Sequence, residues 1–207
     1  MTNAVAQKKC YTAEEHFAYE EYSEFRHEFY EGELFRMDAT TIRHNEIIEN
    51  VKDVLRPLFR PRGCRVVSES IRLEAVRNEY YPYPDIMVTC HGFDRESDST
   101  IRNPSLVVEV LSKSTEDNHR DFKWQHYKNI SSLQHYLLVS QYKCLVELYS
   151  RTEKPEVWLY QSFNQMTDTV HFQHLDFSLP VAKVYDNITF PTPEELAAEN
   201  PPPAPQK

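Results

Sequence analysis

Tyr83-Pro84-Asp85-Ile86-Met87-Val88 and Leu106-Val107-Val108-Glu109-Val110-Leu111 are two apolar runs of strand character, each carrying one carboxylate. Neither run alternates polar with apolar residues, so each reads as a strand covered on both faces. A carboxylate in such a strand costs on the order of several kcal/mol to desolvate unless it is paired or binds a metal. Asp85 and Glu109 therefore call for a chemical explanation, and Lys123 follows in a stretch that reads as helix. Oxygen ligands suit hard cations, and Mg²⁺ is commonly held by one or two protein carboxylates plus water and substrate phosphate. The pattern points to a divalent-metal site for phosphodiester cleavage.

Outward from these strands, Thr12 and Glu15 have the spacing of a capping box, and Phe17, Tyr19, Tyr22 and Phe25 supply an aromatic helix face. His27-Glu28-Phe29-Tyr30 and Leu34-Phe35-Arg36-Met37 flank Gly32 as a hairpin, each of the three glycines being expected at a tight turn. Thr41 to Phe59 repeats Ile47, Ile48, Val51, Val54, Leu55 and Leu58 at helical spacing, with Pro57 limiting its far end. Cys64 to Leu73 reads as one or two strands, Asp85 to Cys90 and Ser105 to Leu111 as further strands, and polar His91 to Asn103 as a loop. Arg120 to Asn129 reads as a helix. Gln134 to Ser140 and Leu145 to Tyr149 read as strands about a Gln141-Tyr142-Lys143 turn, and Val157 to Tyr160 continues the sheet. Helices mixed with non-alternating strands define an α/β fold with a mostly buried sheet.

A chain of 207 residues suits one domain, expected over residues 10–190, with a tail at 1–9 and a disordered Pro-rich tail at 191–207. No apolar run is long enough to span a membrane and the N-terminus has no signal core, so a cytoplasmic protein is expected. Cys10, Cys64, Cys90 and Cys144 are scattered without a CxxC pair, which reads as reduced thiols rather than a zinc site or disulfides. A net charge of −9 argues against a general nucleic-acid binder but leaves room for a metal site with local cations.

An ordered string of motifs resembles a known family. Tyr11 to Glu15, Glu28 to Glu33, Met37 and His44-Asn45-Glu46-Ile47 match its N-terminal half; Tyr83-Pro84-Asp85, Glu109 to Thr115, Lys123, Tyr127 and Tyr136 to Val139 match its centre. This is the Uma-two family of restriction-endonuclease-like proteins, a branch of the PD-(D/E)XK nuclease superfamily. The resemblance implies a restriction-endonuclease-like core, a mixed central β-sheet flanked by helices. It also implies a Mg²⁺- or Mn²⁺-dependent endonuclease acting on DNA, with Asp85 and Glu109 as metal ligands, the Val110 carbonyl as a third, and Lys123 as catalytic lysine. The superfamily's Glu-x-Lys is not matched directly, because Leu111 stands two positions after Glu109; the branch carries its lysine in the next helix, where Lys123 falls. The branch also has Asp before Arg in that segment, where this chain has His119 before Arg120.

Glu28 fits an acid drawn from the first helix as an extra metal ligand, or is one solvated residue among Glu20, Glu21, Glu24 and Glu31. His44 contacts phosphate or water, or is a helix-end residue bonded to backbone. Tyr127, four residues after Lys123, steadies the lysine, bonds the metal-bound water network, or packs. Ser112 and Ser114 donate to Glu109 or cap the next helix. The competing functional readings are a catalytically silent nuclease-fold scaffold and a hydrolase of a different phosphoester. Exposed aromatic strands in the second half would suit a homodimer.

Overall fold

A computed structural model describes residues 10–37, 40–111, 118–154, 156–192 and 195, with 118–120 described by backbone alone. The first elements are α1 (Ala13–Tyr22), β1 (His27–Tyr30), β2 (Glu33–Arg36) and α2 (Ile42–Phe59). Then come β3 (Arg65–Ser68), β4 (Arg72–Leu73), β5 (Tyr80–Tyr81), β6 (Ile86–Thr89), α3 (Gly92–Glu96), β7 (Thr100–Ile101) and β8 (Leu106–Leu111). A π-helical turn (Asn118–Lys123) runs into α4 (Trp124–Tyr127). The chain continues through β9 (His135–Ser140), β10 (Val146–Arg151), β11 (Trp158–Phe163), β12 (Thr169–Phe172), β13 (Phe177–Pro180) and α5 (Val181–Val184).

The central sheet has six strands in the order β11-β10-β9-β8-β6-β3. It is mixed: β8 and β9 run parallel, and the other neighbours are antiparallel. One face packs on α2 through Ile47, Ile48, Val51 and Leu55, which recur every three or four residues. The other face packs Met87, Val107, Leu111 and Leu138 against Tyr127, Ile130 and Leu133. Both faces are covered, so β6, β8 and β9 are buried along their whole length, which is why their sequences do not alternate.

The local signals behave as their chemistry dictates. Thr12 and Glu15 form a reciprocal capping box on α1, and the Thr41 hydroxyl caps α2. Glu31 and Gly32 both have positive φ, the two-residue turn that matches hairpin twist. Four expectations need correction. Cys64 and Cys90 are bonded as a disulfide, not reduced. They lie one step beyond the Arg65↔Thr89 pair, so antiparallel pairing brings together cysteines remote in sequence. His91–Asn103 is no plain loop: it holds α3 and β7, with Ile101 buried and Asp94 accepting from Thr89 Oγ1 and the Arg102 and Asn103 amides. Gly92 opens α3 rather than a tight turn. The segment over Arg120–Asn129 is a π-helical turn leading into one turn of α-helix. Ser112, Ser114 and both expected tails lie wholly or largely outside the described residues.

Candidate active site

The β6–β8 ladder pairs Ile86 with Val108, so the next step along it sets Asp85 beside Glu109. Asp85 thus stands at the mouth of the strand, just ahead of Ile86, rather than inside it as expected. Its Oδ2 accepts a 2.6 Å hydrogen bond from the Val110 N–H. Within a strand a residue's N–H and C=O leave by the same edge, so Val110 presents its carbonyl on the Asp85 edge too.

Glu109 lies on the face covered by Tyr127 and Tyr136 and is 1% exposed. Its Oε1 accepts from Lys123 Nζ at 3.0 Å and from the Tyr127 hydroxyl at 3.1 Å. Lys123 Nζ also lies 2.9 Å from Glu28 Oε1. One ammonium thereby joins β1 to β8. Glu28 comes from a hairpin strand, not from the first helix, and it is an ion-pair partner rather than a solvated residue. Glu20, grouped above with solvated acids, is buried as well: it accepts from His27 Nδ1 at 2.8 Å and from the Tyr83 hydroxyl at 3.0 Å. His44 is a first-turn residue of α2 whose Nε2 reaches Asp85 Oδ2 at 3.4 Å. Tyr127 does more than pack, because its hydroxyl is spent on Glu109.

Burial pushes the Glu109 carboxyl up to about 7; Lys123 opposes that shift, while Asp85 and Glu28 add to it. For Lys123 burial favours the neutral amine, but the Glu109 and Glu28 carboxylates outweigh it and hold the ammonium well above its ordinary value. Burial likewise works against a charged His44, and the hydrogen bond and charge of Asp85 reverse the balance and raise it. Three carboxylates thus converge on one lysine and one polarised histidine.

The structure brings Asp85, Glu109, Lys123, Glu28, His44 and Tyr127 to one end of β8. The lysine meets Glu109 and Glu28. Sequence reasoning missed a brace made by Gln141. That buried amide accepts from Thr41 Oγ1 at 2.6 Å and donates to the Leu111 carbonyl at 3.2 Å, fixing the start of α2 to the end of β8. No local signal marks it, since its partners are distant in sequence. An all-oxygen donor set of Asp85, Glu109 and the Val110 carbonyl, with carboxylates outnumbering cations, fits a hard divalent cation. Among the described residues no three His, Cys, Asp or Glu side chains are arranged to hold a metal by themselves.

A helix-flanked mixed sheet with such a carboxylate pair at one strand's end defines a restriction-endonuclease-like α/β domain. The Uma2 family model, described as "Putative restriction endonuclease", matches residues 13–182, and the chain belongs to that family. It is similar to "Uncharacterized protein slr1290" of Synechocystis sp., with 30% identity over 177 residues, 86% of this chain and 92% of the relative. It is also similar to "Uncharacterized protein sll1609" of the same organism, with 33% identity over 149 residues, 71% and 84% of the two chains. A crystal structure titled as "a putative nuclease belonging to DUF820" from Anabaena variabilis shares the fold, with a TM-score of 0.65, 17% identity, and 81% and 93% of the two chains covered.

Proposed function

We propose that the chain is a Mg²⁺- or Mn²⁺-dependent endonuclease hydrolysing phosphodiester bonds in DNA. One observation carries the reading: Asp85 and Glu109 sit side by side at a strand end while the Lys123 ammonium is held on Glu109. Asp85, Glu109 and the Val110 carbonyl would hold the cation. When bound, such a cation neutralises charge at the scissile phosphate and acidifies water. Asp85 is oriented by the Val110 amide and His44. Glu28 and Tyr127 orient the far side of the lysine–Glu109 pair. Lys123 stays charged because two carboxylates face it, so it can donate to charge that develops on phosphate oxygens.

Purified protein should nick supercoiled DNA with Mn²⁺, and Asp85→Asn or Glu109→Gln should lower that rate by at least about a hundredfold. Wild-type nicking by both variants would overturn the assignment. A catalytically silent fold is the second reading, favoured by one observation: the Lys123 ammonium already bridges Glu109 and Glu28. It predicts no Mn²⁺ uptake by calorimetry. Among the described residues no helix is long and apolar enough to cross a membrane. The proposal places the chain in the cytoplasm.

A further inference from the structure

Strand β2 is the outer strand of the three-stranded β2-β1-β5 sheet. Its register sets Phe35 directly opposite Glu28, and His27 opposite Arg36. Cross-strand partners share a face. On β1, Glu28 and Tyr30 face the site, reaching Lys123 and the Phe122 ring, whereas His27 and Phe29 face α1, meeting Glu20 and His16. On β2, Leu34 packs with Ala13 and Phe29, and the Arg36 guanidinium lies 3.6 Å over the Phe25 ring, so both belong to the α1 side. Phe35 is therefore on the site's side of the hairpin, next to the Glu28 carboxylate, and it is 48% exposed.

We infer that Phe35 is a base-stacking platform for an unpaired nucleobase flanking the scissile phosphate, and that the substrate at this site is single-stranded. The inference rests on the nuclease reading for its substrate class. The chain carries a net charge of −9, so its overall field does not draw in a phosphate backbone. Stacking on an exposed ring needs no such field and tolerates any base. In a duplex the bases are already stacked on one another, so only an unpaired base offers Phe35 its face.

The test uses the full chain carrying Glu109→Gln, so that binding is read without cleavage and a failure of the nuclease reading shows separately as absent nicking by the parent. In that background Phe35→Trp should gain an emission that short oligodeoxythymidylate quenches and a blunt duplex of equal length does not. Phe35→Ala should bind the labelled oligonucleotide about tenfold more weakly by anisotropy. Phe35→Leu, apolar but without a π face, should match Phe35→Ala. Absent quenching, unchanged affinity in Phe35→Ala, or equal quenching by duplex would each overturn the proposal; full affinity in Phe35→Leu would replace stacking by plain apolar contact and overturn it as well.

Discussion

Lys123 bridges two carboxylates with one ammonium, in a place where Lys123 and Glu109 are almost wholly buried. Lys123→Met keeps much of the volume and removes the charge, so Glu28 and Glu109 are left facing each other. Removing one partner of a buried ion pair costs about 3–5 kcal/mol, and urea unfolding above about pH 7 should show a loss of that order. Its pH dependence follows from Glu109. The folded-state carboxyl titrates near 7, above its ordinary 4.5, so its contribution is fully present below 4.5 and is lost as pH rises through about 7. Lys123 opposes the upward shift of Glu109, so in Lys123→Met that carboxyl stays protonated to higher pH; the deficit is smallest in acid and opens as pH rises through about 7, and a variant as stable as the parent above that pH would show that the ammonium does not hold the pair. Asp85 and Glu109 were legible in the sequence because a carboxylate in a non-alternating apolar run is anomalous by itself. The pairing of Lys123 with Glu28 was not, because hairpin and crossover meet only in the folded chain. Gln141 was hidden for the same reason: an amide in a mixed stretch costs nothing visible until its partner is known.

Elements were legible where chemistry is local. The capping box marked the start of α1, and Gly32 the hairpin turn. The π-helical turn before α4 and the short strands β5 and β7 were obscured, because two paired residues leave no periodicity to read. Strand β9 shows how element burial becomes a measurable property. It opens on His135, which lies far along β8 from Glu109, since Leu106 pairs with His135 and Glu109 with Leu138. Its ring packs beside Phe172 and His174, and Nδ1 lies 2.9 Å from Ser150 Oγ. Burial, with a smaller push from His174, lowers its pKa from 6.5 to about 4. A depressed folded-state value means that its contribution to stability is present above 6.5 and is lost as pH falls through about 4. The full loss is on the order of 3 kcal/mol. Urea midpoints should fall over that window, His135→Gln should flatten the fall, and an NMR titration of the ring at its ordinary value would refute the cause.

At the scale of the whole molecule the sheet has two ends, and they are built differently. At one end β3 is joined through the Cys64–Cys90 disulfide to the segment after β6. At the other end β11 pairs with β10 and is the last strand in the order. Its sequence, Trp158-Leu159-Tyr160-Gln161-Ser162-Phe163, has no charge and no proline, the usual devices that keep an edge strand from pairing. Leu159 and Tyr160 are each 50% exposed. A second copy of the chain satisfies such an edge by antiparallel β11–β11 pairing, which is isologous and closes on itself. We therefore predict a homodimer in which the two central sheets continue into each other. Sedimentation velocity at micromolar concentration should give the mass of a dimer, and Leu159→Lys combined with Gln161→Lys should convert it to monomer while leaving the cores intact, because both side chains are exposed. A parent chain that sediments as a monomer would remove the dimer and leave β11 as a bare edge.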